Sequence, residues 1–187
     1  MNIGHRAVLA AALAALLAGC SALPGAEEES DGGRGGSGGD AVAAGRPSVD
    51  GAAKAVVSGT FDTPLVTGGK VDIAMMGLRA RGRLAMLTVR LTPRLPAGFS
   101  DQDPSPYRLN GSNSLGTALI DPVNLKRYVV VKDSSGRELQ SNDISTQIVN
   151  NQPAVLTYTF AAPPENVKAV DVQYGSWPTF RNIPVER

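Results

Sequence analysis

From Ala52 onward, apolar and polar residues alternate with a period of two. Val71, Ile73 and Met75 are separated by Asp72 and Ala74, and Leu87, Val89 and Leu91 by Thr88 and Arg90. Residues 155–160 read Val-Leu-Thr-Tyr-Thr-Phe, and residues 167–174 repeat the alternation through Val167, Ala169 or Val170, Val172 and Tyr174. Successive side chains of a strand point to opposite faces, so each run predicts a strand with one buried face. Residues 128–131 predict another, followed by Asp133-Ser134-Ser135-Gly136 as a turn into Arg137-Glu138-Leu139. No window in this region carries the apolar stripe of an amphipathic helix. The 13 prolines fall mostly between the runs, where turns and sheet edges tolerate a missing N–H.

Short strands repeating about every ten residues predict an all-β domain. The expected architecture is an immunoglobulin-like antiparallel β-sandwich of about seven to eight strands, spanning residues 53–187. It would have no inter-sheet disulfide, because Cys20 is the only cysteine. Trp177 lies too near the C-terminal end to be a central tryptophan and is expected to cap one end of the core. Residues 100–116 form the longest irregular stretch, and long loops at a sandwich's ends are where binding residues collect.

The pattern changes at the N-terminal end. Residues 8–17 are an unbroken apolar run behind a short start carrying Arg6. A bilayer core of about 30 Å needs about 20 apolar residues in a helix, so this run reads as a secretory signal peptide over residues 1–19. The run ends in Leu17-Ala18-Gly19-Cys20, which resembles the lipobox of bacterial lipoproteins. That resemblance implies cleavage before Cys20, a diacylglyceryl group on its thiol, and a location on the extracytoplasmic face of the cell membrane.

Residues 20–52 are expected to be a disordered tether. They hold Glu27, Glu28, Glu29 and a Gly/Ser run at 32–39, with almost no large apolar side chain to offset the ordering entropy. Charge divides with it: Arg34 and Arg46 stand against six carboxylates in 21–51, whereas 52–187 carry 15 Lys/Arg and 11 Asp/Glu. The basic excess is far too diffuse for a nucleic-acid binder.

Chemistry is narrowed by what a processed chain lacks. His5 is the only histidine, so cleavage at Cys20 removes it. A chain without His or a free thiol is excluded from Ser-His-Asp and Cys-His catalysis and from His/Cys zinc, haem and copper sites. No enzyme activity, metal or cofactor is expected. Two weaker candidates remain. Arg79, Arg81 and Arg83 flank Gly82 between two strand patterns, a small anion site or simply a charged, soluble hairpin. Asp101 and Asp103, two apart in a polar loop, are a cation or ligand loop or a solvated one, and no EF-hand spacing follows them. Met75, Met76 and Met86 read as core fillers, not copper ligands, since no His completes such a set.

Lipobox, tether and the strand pair over 72–92 together resemble lipoproteins of high-GC Gram-positive bacteria with an immunoglobulin-like domain. So does the closing stretch from Val170-Asp171-Val172-Gln173-Tyr174-Gly175 to Ile183-Pro184-Val185. Longer members add an OmpA-like domain, a pattern this sequence lacks. The resemblance implies a membrane-anchored, non-catalytic binding module with a protein or cell-wall polymer as partner. The alternative is an extracytoplasmic carboxylate-based enzyme or small-ligand carrier.

Overall fold

The computed structural model describes residues 54–187. The expected signal peptide, the motif Leu17, Ala18, Gly19 and Cys20, and the tether lie outside the described residues. Eight strands follow in order: β1 (Val57–Asp62), β2 (Lys70–Arg81), β3 (Leu84–Arg94), β4 (Ala118–Asp121), β5 (Lys126–Val129), β6 (Ala154–Ala161), β7 (Ala169–Gln173) and β8 (Phe180–Glu186). One helical turn, α1 (Pro106–Leu109), interrupts the loop before β4, and Ser105 Oγ caps it by accepting from Arg108 N at 3.3 Å.

The all-β expectation holds, in the form of one continuous mixed sheet ordered β5-β4-β7-β8-β2-β3-β6, with β1 also on β2. The sheet curls until its outer strands meet. Beyond β5 the chain lies along the far side of β6, with Val131 N donating to Thr159 O at 2.9 Å and Ser141 N to Thr157 O at 2.8 Å. One pairing departs from the antiparallel expectation: β8 runs parallel to β2, Leu78 opposite Val185 and Arg79 opposite Glu186. Parallel partners need long connections, and here the rest of the domain supplies one.

A bulge in β2 sets the inside of the fold. Register with β3 slips between Met75 and Gly77. Val71, Ile73 and Met75 are fully buried before it, and Leu78 and Ala80 are buried after it. The extra residue switches which parity points inward, as a bulge must. Without it Arg79 and Arg81 would face the core. The bulge also marks a change of partner, since β1 covers 70–75 and β8 covers 78–79 on the same edge of β2.

Buried residues from β2, β3, β4, β6, β7 and β8 join a single apolar cluster, in which Tyr158, Tyr174 and Phe160 are the largest fully buried side chains. Met75 belongs to it, whereas Met86 faces outward and is 48 % exposed.

Strand directions give the sheet two rims. The hairpin rim carries the β2–β3 turn, the β4–β5 turn, the β6–β7 connection and the end of β8. The loop rim carries the β1–β2 and β7–β8 connections and the long segments 95–117 and 141–153. Trp177 closes the core at the loop rim, 7 % exposed, with Nε1 donating to Asp62 O at 3.0 Å. Gly175 makes that closure possible: at φ 58°, an added Cβ would lie 2.8 Å from Asn110 Oδ1 and 2.9 Å from the Trp177 ring.

Candidate functional site

The loop rim holds a cleft of about 460 Å³ between α1 and residues 137–144. Tyr107, Ser114, Glu138, Gln140, Asn142 and Asp143 are among its walls. Local chemistry fixes this wall. Asn142 Oδ1 accepts from Ile144 N at 3.0 Å and Ser145 N at 2.9 Å, a side-chain turn that reverses the chain. Tyr107 N donates to Asp143 O at 2.9 Å, fastening α1 to the same segment. Gln140 and Ser141 are held in turn against β6.

Asp143 connects the cleft to the core. Tyr158 Oη donates to Asp143 Oδ1 at 2.9 Å and lies 3.0 Å from Tyr174 Oη. Tyr174 meets Tyr158 edge-on at 5.7 Å and stacks on Trp177 at 5.8 Å. Burial raises the Asp143 carboxyl to about 6; the Tyr158 hydrogen bond opposes this, and the Glu138 charge adds to it. Burial, with the neighbouring groups, pushes both phenols far above their ordinary range, so they remain neutral donors and acceptors. The cleft is thus backed by a fully connected polar chain inside an apolar core.

The arginines predicted from the sequence sit at the opposite rim. Arg79 and Arg81 share the outer face of β2, and Arg79 pairs with Glu186 at 3.2 Å. Arg83 stands in the two-residue turn, where Gly82 takes a left-handed φ of 57° that such hairpins require. No ion pair is formed by Arg81 or Arg83 among the described residues. Exposed Leu84 and Met86 lie beside Arg81 and Arg79, each directly across the β2–β3 ladder.

The aspartates of the long loop are used differently. Asp101 Oδ2 sits 2.9 Å from Arg108 Nη1, an ion pair whose N–H directions miss the oxygen. Asp103 is exposed. Among the described residues no three His, Cys, Asp or Glu side chains converge on a common point. Asp121 is a structural carboxylate: fully buried, it accepts from Val123 N at 2.9 Å, Asn124 N at 3.1 Å and Asn124 Nδ2 at 2.8 Å. Burial works to raise its pKa, but these bonds and Tyr128 outweigh it and hold the group below the usual carboxylate range.

Nothing in the sequence singles out Asp143. Its significance depends on two tyrosines 15 and 31 positions away, and no local spacing links them. Compared with known proteins, the chain matches no family model, no curated protein and no solved structure.

Proposed function

We propose that the chain is an exported lipoprotein, processed before Cys20, held by an acylated Cys20 on the extracytoplasmic face of the membrane, and acting as a non-catalytic binding module. In this reading residues 20–52 are the tether, and the domain is immunoglobulin-like. The strand order supports that fold assignment: β6-β3-β2 and β8-β7-β4-β5 correspond to the two sheets of such a sandwich, with the first and last long strands adjoining.

The observation that carries the binding reading is the cleft at Asp143. A mostly apolar lining that includes Ile144 and the Tyr107 ring carries a few convergent amide, hydroxyl and carboxyl groups and Arg137, the usual composition of a ligand site. The hydrogen-bonding groups beside an aromatic ring suit a hydroxyl-rich chain, so a cell-wall polymer is the partner this reading favours. Titrating the protein with soluble wall-polymer fragments and following backbone amide shifts tests this. Shifts concentrated on Tyr107, Asn142 and Asp143, weakened by Asn142→Ala, are expected. A saturating titration that leaves those amides unmoved contradicts it.

A second reading, a carboxylate-based enzyme or small-ligand carrier, draws on the raised Asp143 carboxyl beside Glu138. Conversion of a bound fragment that Asp143→Asn abolishes while binding persists would favour it.

A further inference from the structure

We propose that the hairpin rim is a membrane-docking face, with Val123 and Leu125 entering an anionic lipid surface and the surrounding cations resting on its headgroups. The inference rests on the reading of a membrane-tethered protein, but it concerns a different surface from the cleft.

The β4–β5 turn presents apolar side chains where a soluble hairpin has no use for them. Val123 is 61 % exposed, and Leu125, at 90 %, is the most exposed large hydrophobic residue among those described, ahead of Ile144 at the loop rim. Leu125 also takes a φ of 52°, a left-handed conformation that glycine or asparagine adopts more easily. The turn is nevertheless held firmly, since Asp121 beneath it bonds the backbone of Val123 and Asn124 from a buried position. Backbone strain retained in a well-anchored, exposed turn points toward a use for the side chain it displays.

The surroundings select the occupant. Lys126 adjoins the tip, the Arg127 guanidinium extends along the sheet towards Gly116 O at 3.5 Å, and the hairpin rim also carries Arg81 and Arg83 at the β2–β3 turn. Arg187, next to them, spends its N–H groups on the carbonyls of Pro163, Pro164 and Val167, while its charge remains. Against these stand Glu165 and Glu186, the latter already paired with Arg79. Two apolar side chains are too small an anchor for a protein interface, which buries about 1,200–2,000 Å². A fluid lipid surface needs no matching shape, and apolar tips ringed by Lys and Arg are what an anionic interface binds.

The test uses the full acylated protein reconstituted in vesicles, with Val123→Cys carrying an environment-sensitive fluorophore and a second sample labelled at Ser112→Cys on the loop rim. Blue-shifted emission is expected at 123 in phosphatidylglycerol vesicles, and aqueous emission there in phosphatidylcholine vesicles and at 112 in both. Each basic residue near such a surface contributes about fivefold, so Lys126→Gln/Arg83→Gln should lower the docked-to-undocked ratio by about 25-fold. Leu125→Asn, which suits the left-handed φ and keeps the turn, should also lower it. Aqueous emission at 123 in phosphatidylglycerol overturns the proposal, as does a blue shift that follows protein density instead of lipid charge, which would indicate a second copy on the tip. Flotation of the unlabelled protein with the vesicles reports the acyl anchor separately, so loss of anchoring and loss of docking are distinct outcomes.

Discussion

The hydroxyl of Tyr158 lies 3.0 Å from that of Tyr174 and donates to Asp143 at 2.9 Å, so one phenol ties a surface cleft to the centre of the core. Removing it should cost more than a single hydrogen bond. Tyr158→Phe leaves the buried Tyr174 hydroxyl without its partner, an expected loss of about 1–3 kcal/mol in urea unfolding. Adding Tyr174→Phe removes the orphan, so the double variant should lose less than the two single losses combined. Strict additivity would contradict a connected chain.

Asp143 makes stability depend on pH in an unusual direction. Its folded pKa of about 6 lies above the ordinary value near 3.8, so the folded state binds the extra proton between them. Ionisation is therefore disfavoured by folding, and stability falls as pH rises from about 4 through about 6. Asp143→Asn keeps an acceptor for Tyr158 and removes this effect. It should stabilise the domain by about 1–2 kcal/mol at pH 7.5, allowing for solvent screening, and by nothing below pH 4. A gain independent of pH would contradict the assignment.

Asp121 should behave in the opposite sense. Its carboxylate is favoured by the fold, so its contribution is present above the unfolded pKa and is lost as pH falls through the lower folded one. Asp121→Ala should cost about 1–3 kcal/mol at pH 7 and progressively less in acid. Chemical denaturation at several pH values measures both.

Leu125→Asn should leave stability unchanged or raise it by up to about 1 kcal/mol, because asparagine tolerates the left-handed φ of 52°. Clear destabilisation would mean that the leucine side chain is packed and not displayed.

Much of the fold was legible because a half-buried strand advertises itself at period two. β6 follows the alternation from end to end and β3 as far as Leu91, and the turn at 133–136 forms as its Asp and Gly predict, with Gly136 at φ 81°. β2 was legible only as far as Met75. The bulge there inverts inside and outside, and only pairing with β3, β1 and β8 reveals it. The parallel contact of β2 with β8 was equally hidden, being a relation between the two ends of the domain. Of the candidate sites, the place of Arg83 in a Gly-centred turn was legible, whereas Arg79 and Arg81 face outward only because the bulge reverses the parity of β2. The cleft at Asp143 was not legible, since its walls come from two separate segments, 107–114 and 137–144, whose meeting depends on the curl of the sheet.

Mass spectrometry of the protein extracted from membranes tests the lipoprotein reading most directly. The expected result is a chain beginning at Cys20 with a diacylglyceryl group on its sulfur, and a Cys20→Ser protein that is released from the membrane or left unprocessed. A membrane-bound chain that retains residues 1–19, or that carries Cys20 as an unmodified thiol, would contradict it.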